Sequence, residues 1–278
     1  MSSPLGWRLP ARCVAWEAPA ASRPEFRSRA WVACFLLLAL LPGLSAAPKK
    51  VRVLVWSERS EPVEVYPAGI NGEVASIFAA DRGVEVSVAN MLDPEQGLSE
   101  AALAQTDVLV WFGHRSHADV LPEVVDRVVR RVTADGMGFL PLHSAHYSLP
   151  FVRLMELEAA EQGVRLTGRV GSWGAVRNKG EPERVQILLP AHPIAKGLTA
   201  FTIEGTEEYA NPFVAPPAEE KVLAGAWEGG EQDGSDGLAW TVGKGKVFYF
   251  RPGHETRPIF RQPEVRAVLR NAVLWLAP

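Results

Sequence analysis

Cysteine is nearly missing: the chain has two, Cys13 and Cys34. Beyond them it has neither a disulfide nor a thiol nucleophile, which excludes cysteine-based catalysis and thiolate metal sites there. Basic clusters are also missing after Lys49-Lys50. Nucleic acid needs clustered cations to neutralise phosphates, so it is excluded as a partner. The longest apolar run, Ala30 to Leu41, has twelve residues, short of the roughly 20 that span a bilayer as a helix. No HExxH or comparable local metal motif is present.

What is there begins with a leader. Arg8, Arg12, Arg23, Arg27 and Arg29 precede the apolar run, and Pro42-Gly43 and Ser45-Ala46-Ala47 follow it. A basic region, a short apolar stretch and a small-residue end predict a signal peptide over 1–47 and an exported, periplasmic or extracellular, domain over 48–278. The alternative is an anchor, left uncleaved in the membrane. Five Arg and two Glu lie in the leader, so its removal takes the formal charge from −3 to −6. The cleaved protein would have no membrane partner.

The remainder is 47% hydrophobic over the full chain, enough to bury a sizeable core. Apolar runs alternate with helical spacings, the pattern of an α/β fold with a mostly parallel sheet covered on both faces. Strands are expected at 51–56, 84–89, 107–112 and 138–142, then shorter ones at 186–189, 221–227, 238–242 and 246–251. Pro122 and Pro263 open helices whose Val and Leu residues recur at helical spacing. Asn71 is expected to cap a helix carrying Val74, Ile77 and Phe78, and Ser144 either to cap the helix after it or to bind a ligand.

Ligands of open α/β sheets sit beyond the carboxyl ends of the strands. His114, His143 and His254 each fall just after a predicted strand, so they can meet in one crevice although the chain separates them widely. With Glu207, Glu208 or Glu255 they could hold a divalent ion, zinc or manganese; without a metal they could act as general acid and base. His146 would share a helical face with His143. The strand-to-helix turn at His143-Ser144 is where α/β hydrolases place a nucleophile, but Leu142 and His146 stand where that turn needs glycine. Trp56, Tyr66, Trp111 and Trp173 are candidates for stacking on sugar rings or for core packing. The amides of Gly69-Ile70-Asn71-Gly72 could serve a ligand oxygen or an ordinary helix start.

Val55-Trp56, Tyr66-Pro67, Gly69-Ile70, Trp111 with Gly113-His114, Leu142-His-Ser144, His192-Pro-Ile-Ala, Gly197-Leu198, Glu207-Glu-Tyr209, Glu228-Gly-Gly230 and Phe248-Tyr-Phe-Arg-Pro-Gly-His-Glu-Thr256 occur in that order. The series resembles the ThuA-like trehalose-utilisation family. The resemblance covers essentially all of the chain after the leader, and its last run is the most specific. It implies a flavodoxin-like, doubly wound fold similar to class I glutamine amidotransferases, without their cysteine. It also implies a role in disaccharide metabolism beside enzymes that make 3-keto sugars. The pocket it implies is His114, His143, His254 and Glu255 with Glu207 or Glu208; relatives commonly carry His where this chain has Asn71.

The expected activity is metal-assisted cleavage or rearrangement of an oxidised sugar. His143 or His254 would abstract a proton beside a carbonyl, with Glu255 in the catalytic group and Trp56, Tyr66, Asn71, Trp111, Ser144 and His146 against the substrate. The rival is a non-catalytic carbohydrate-binding protein, and a third reading is a scaffold subunit. The expected partner is a small-molecule carbohydrate, with homo-oligomer formation left open.

Overall fold

The computed structural model of the protein describes residues 49–227 and 235–278. The leader of the sequence reading and its Glu228-Gly-Gly230 motif lie outside the described residues. In chain order the elements are β1 Val51–Ser57, α1 Gly69–Ala75, β2 Val84–Asn90, α2 Glu100–Ala104, β3 Val108–Phe112, α3 Pro122–Thr133, β4 Gly138–Leu142 and α4 Leu149–Glu161. They continue with β5 Ala175–Arg177, β6 Glu183–Ile187, β7 Phe201–Ile203, β8 Glu208–Ala210, β9 Glu220–Trp227, β10 Gly237–Val242, β11 Gly245–Phe250 and α5 Pro263–Leu276.

Nine strands form one sheet in the order β2-β1-β3-β4-β11-β10-β9-β6-β7. The pairs from β2 to β11 are parallel, and those from β11 to β7 are antiparallel. Strand alternation sorts the apolar residues into two cores. Val53, Val55, Val108, Val110, Leu140 and Leu142 face α1 and α5. Leu54, Trp56, Leu109, Trp111 and Phe139 face the other way, into the core that holds the buried residues of α3 and α4. β3 and β4 are buried along their whole length, as strands covered on both faces must be. This is the doubly wound α/β arrangement, and it aims the carboxyl ends of β3, β4 and β11 in one direction.

Several local expectations change. Asn71 lies inside α1, whose N-cap is Ala68; its Nδ2 donates to the Ala89 carbonyl at 2.9 Å and so ties α1 to β2. Ser148, not Ser144, caps α4, accepting from the Phe151 amide. β6 starts at Glu183, three residues before the expected strand, because a fully buried glutamate there is paired with Arg251. No helix of the described residues is long and apolar enough to cross a membrane.

Candidate functional site

β3, β4 and β11 are neighbours in the sheet, so the residues that follow them meet. The ring centroids of His114 and His143 lie 5.7 Å apart, those of His114 and His254 5.1 Å, and those of His143 and His254 5.7 Å. Glu207 enters from the short β5–β8 pair. Alternation sends Glu207 and Tyr209 to the imidazoles and Glu208 the other way, where it is buried 4.0 Å from Arg177. Glu208 is therefore not brought to the cluster.

His143 occupies the turn at the end of β4 with φ +52°. That is left-handed backbone, costly for a residue with a Cβ. The turn is crossed closely by Gly253, where an added Cβ would stand 2.4 Å from His143 Cβ. The sharp strand-to-helix turn thus exists with the glycine supplied across the sheet rather than beside it. His143 Nδ1 lies 3.1 Å from the Arg251 carbonyl and Nε2 3.1 Å from Glu207 Oε2. Since the carbonyl takes the Nδ1 proton, Nε2 is the nitrogen at which a neutral ring can accept a further proton. Tyr209 donates to the same oxygen at 2.7 Å and its hydroxyl is 2.7 Å from Ser144 Oγ.

A second layer holds the other rings. Buried Glu255 accepts from His114 Nδ1 and, at 3.2 Å, from Arg115, which leaves His114 Nε2 free. Glu58 accepts from the amides of Arg115 at 2.7 Å and Ser116 at 2.9 Å and so fixes the loop bearing His114. His254 Nδ1 is 2.8 Å from Thr256 Oγ1, and its Nε2 is 2.9 Å from Asn178 Nδ2.

Electrostatics follow the burial. Burial opposes the charge on His114, but the bond and charge of Glu255, helped by Glu207 and Glu58, raise its pKa. Burial, then the neighbouring His143, push His254 down to about 4, and burial lowers His143 against the pull of Glu207. Burial also resists ionisation of Glu207, yet His143 and Tyr209 bring it to about 2. Glu255 falls to about 2 against the same penalty, mainly through His114.

One ligand atom from each of His114, Glu207 and His254 lies within 4.8 Å of the other two. Two imidazole nitrogens and a carboxylate suit Zn²⁺ or Mn²⁺, and a carboxylate behind a ligating histidine is the usual second-layer support. Ionised Glu207 and neutral His254 are in the protonation states that metal binding requires, whereas His114, whose pKa Glu255 raises, must give up a proton to ligate. His143 sits beside this trio rather than in it.

The remaining candidates lie elsewhere. Trp56 and Trp111 are 1% exposed and pack against each other with ring centroids 4.0 Å apart and planes tilted by 31°, so they are core and present no face to a sugar. Tyr66 is equally buried, with its hydroxyl given to the Arg257 carbonyl. Asn71 makes no contact with the cluster, and the amides of Ile70 and Gly72 are taken by Glu61 and Asn71. His146 is buried among Tyr147, Trp173, Tyr209, Phe213 and Tyr249, and burial drives its pKa well below the ordinary value. Ser144 touches the site only through Tyr209. Glu255 stands behind His114, its carboxylate occupied by His114 and Arg115, a supporting rather than a catalytic position. Sequence reasoning gave no site role to Tyr209, Asn178 or Glu58. Glu58 directly follows β1 and could have been found by the strand-end rule that found the histidines.

The chain is similar to a ThuA-like protein from Bacteroides uniformis, with TM-score 0.58 and 15% identity over 84% of this chain and 94% of that one. A cytoplasmic protein from Salmonella typhimurium LT2 is similar with TM-score 0.53 and 15% identity over 82% and 100%. These likenesses establish the fold. No curated protein is significantly similar to the chain in sequence. The family model described as ThuA, trehalose utilisation, matches residues 52–276, and the chain therefore belongs to the ThuA trehalose-utilisation family.

Proposed function

We propose that this protein acts on an oxidised sugar, a 3-keto disaccharide or glycoside, by metal-assisted proton abstraction beside its carbonyl. The observation that carries this reading is the assembly of His114, Glu207 and His254 next to His143, whose Nε2 lies 3.1 Å from Glu207 Oε2. The divalent ion, when bound, supplies Lewis-acid stabilisation of a developing oxyanion. The chain's own part is proton transfer. His143 Nε2 exchanges a proton with substrate, Glu207 and the Tyr209 hydroxyl hold the imidazole in register, and the Arg251 carbonyl fixes the tautomer. His114, with 23% of its side chain exposed, marks the side on which the site meets solvent.

The test is incubation of a 3-keto disaccharide with metal-loaded protein, followed by product NMR. Turnover that needs the metal and disappears in His143→Ala supports the reading. A bound sugar without turnover identifies a carbohydrate-binding protein instead. We also infer action outside the cytoplasm, from the leader. N-terminal sequencing of native-host material should find a start near Pro48; retention of Trp31 to Leu41 would instead mark a membrane anchor.

A further inference from the structure

Beside the imidazoles the chain leaves β11 through Thr256 and Arg257, which line a separate cavity of about 530 Å³ with Gly180, Gly205, Glu204 and Arg261. The Arg257 guanidinium is seated there with unusual care. A Cβ on Gly180 would lie 2.2 to 2.6 Å from its atoms, and the φ of +75° at Gly180 favours glycine there. Gly205 packs against Gly180 in turn, its own added Cβ falling 3.0 Å from the Gly180 carbonyl oxygen. The planar cation thus lies against backbone with no side chain in between.

Its charge is not answered. Arg257 donates from one terminal nitrogen to Asn178 Oδ1 at 3.0 Å, while its buried Nε has no partner. Among the described residues no carboxylate forms an ion pair with it. Arg261 differs, because Glu73 and the Val65 carbonyl occupy it. Glu204 on the wall is exposed and pairs with neither guanidinium. A half-buried guanidinium with free donors facing a cavity is the arrangement that receives a planar oxyanion in two parallel hydrogen bonds.

We propose that this cavity is an oxyanion subsite in which Arg257 takes the carboxylate of an acidic sugar, so that the ligand class is an acidic saccharide rather than a neutral one. Its volume suits one sugar ring, and Pro258 and Ile259 give that ring an apolar wall. The subsite adjoins the imidazoles: Asn178 bridges Arg257 to His254 Nε2, and Thr256 meets His254 Nδ1. That the carboxylate belongs to the molecule processed at the cluster rests on the proposed function; that Arg257 binds it does not.

The experiment is titration calorimetry on metal-free full-length protein with D-glucuronate, D-glucose and inorganic phosphate. Wild type should bind glucuronate at least tenfold more tightly than glucose, and Arg257→Gln should abolish that difference. Glu204→Gln, which leaves the cradle intact and removes a repelling charge, should tighten glucuronate severalfold without affecting glucose, and it keeps the test alive if Arg257→Gln misfolds. Equal binding of the two sugars, or a preference that survives Arg257→Gln, would overturn the subsite. Phosphate binding as tightly as glucuronate would overturn the acidic-sugar class. His143→Ala should keep the glucuronate preference, so a failed turnover assay and a failed subsite give different results.

Discussion

At the scale of single residues, His143 carries the largest conflict between backbone and side chain. Its left-handed φ is held by what the ring touches, the Arg251 carbonyl and Glu207. Replacing it by Ala removes those bonds and keeps the strain, whereas Gly removes both. His143→Gly should therefore be more stable than His143→Ala by about 1 kcal/mol in denaturant melts; the reverse order would mean that the turn is unstrained. The histidine variants should not cost alike. His143 is fully buried and its loss orphans partners, a cost of about 1–3 kcal/mol, while the partly exposed His114 should cost much less. Glu255 tests the second layer. Glu255→Gln keeps the volume but weakens the acceptor behind His114 Nδ1, and metal affinity measured by competition with a chelator should fall roughly 10- to 100-fold. An unchanged affinity would place the metal elsewhere.

At the scale of elements, β1 and β3 are tied at their starts by Asp107, which accepts from the Arg52 amide at 2.9 Å and from its guanidinium at 2.7 Å. The Arg52 hydrogen bonds, against burial, hold the carboxyl below its ordinary pKa. A depressed folded pKa means that the stabilisation is complete above the unfolded value near 4 and is lost as pH falls through the folded value. The gap in stability between wild type and Asp107→Asn should thus be widest at neutral pH and close below about pH 4; a gap independent of pH would assign the effect to packing. The strands that could be read from sequence are those whose faces are apolar on both sides, such as β3 and β4, or which follow a turn signal, such as β11. β5 and β8, three residues each, were not legible. Neither has a period to detect, and their pairing with each other spans the segment that contains β6 and β7. Glu207 therefore entered the reading as a carboxylate nearby, and only the β8 alternation separates it from Glu208. The aromatic candidates failed for a related reason: the composition of a sugar platform and that of a two-faced core are the same, and only burial tells Trp56 and Trp111 apart from a platform.

At the scale of the whole molecule, the proposed ligands come from three places far apart in the chain: the loop after β3, the approach to β8 and the exit of β11. A metal held by all three stabilises only the folded state, because the unfolded chain cannot present them together. Binding then adds RT ln(1 + [M]/Kd) to stability, about 2.7 kcal/mol at a hundredfold excess over Kd. For a domain of this size each kcal/mol raises the melting temperature by about 2–4 °C, so Zn²⁺ or Mn²⁺ at that excess should raise it by roughly 5–10 °C. His114→Ala removes one ligand and leaves the two cores untouched, since His114 belongs to neither, so it should melt near the metal-free wild type and gain little from added metal. Mg²⁺, which favours all-oxygen ligands, serves as the control and should leave both proteins unchanged. Equal shifts in wild type and His114→Ala would move the metal away from the ends of β3 and β11, and with it the chemistry proposed for His143.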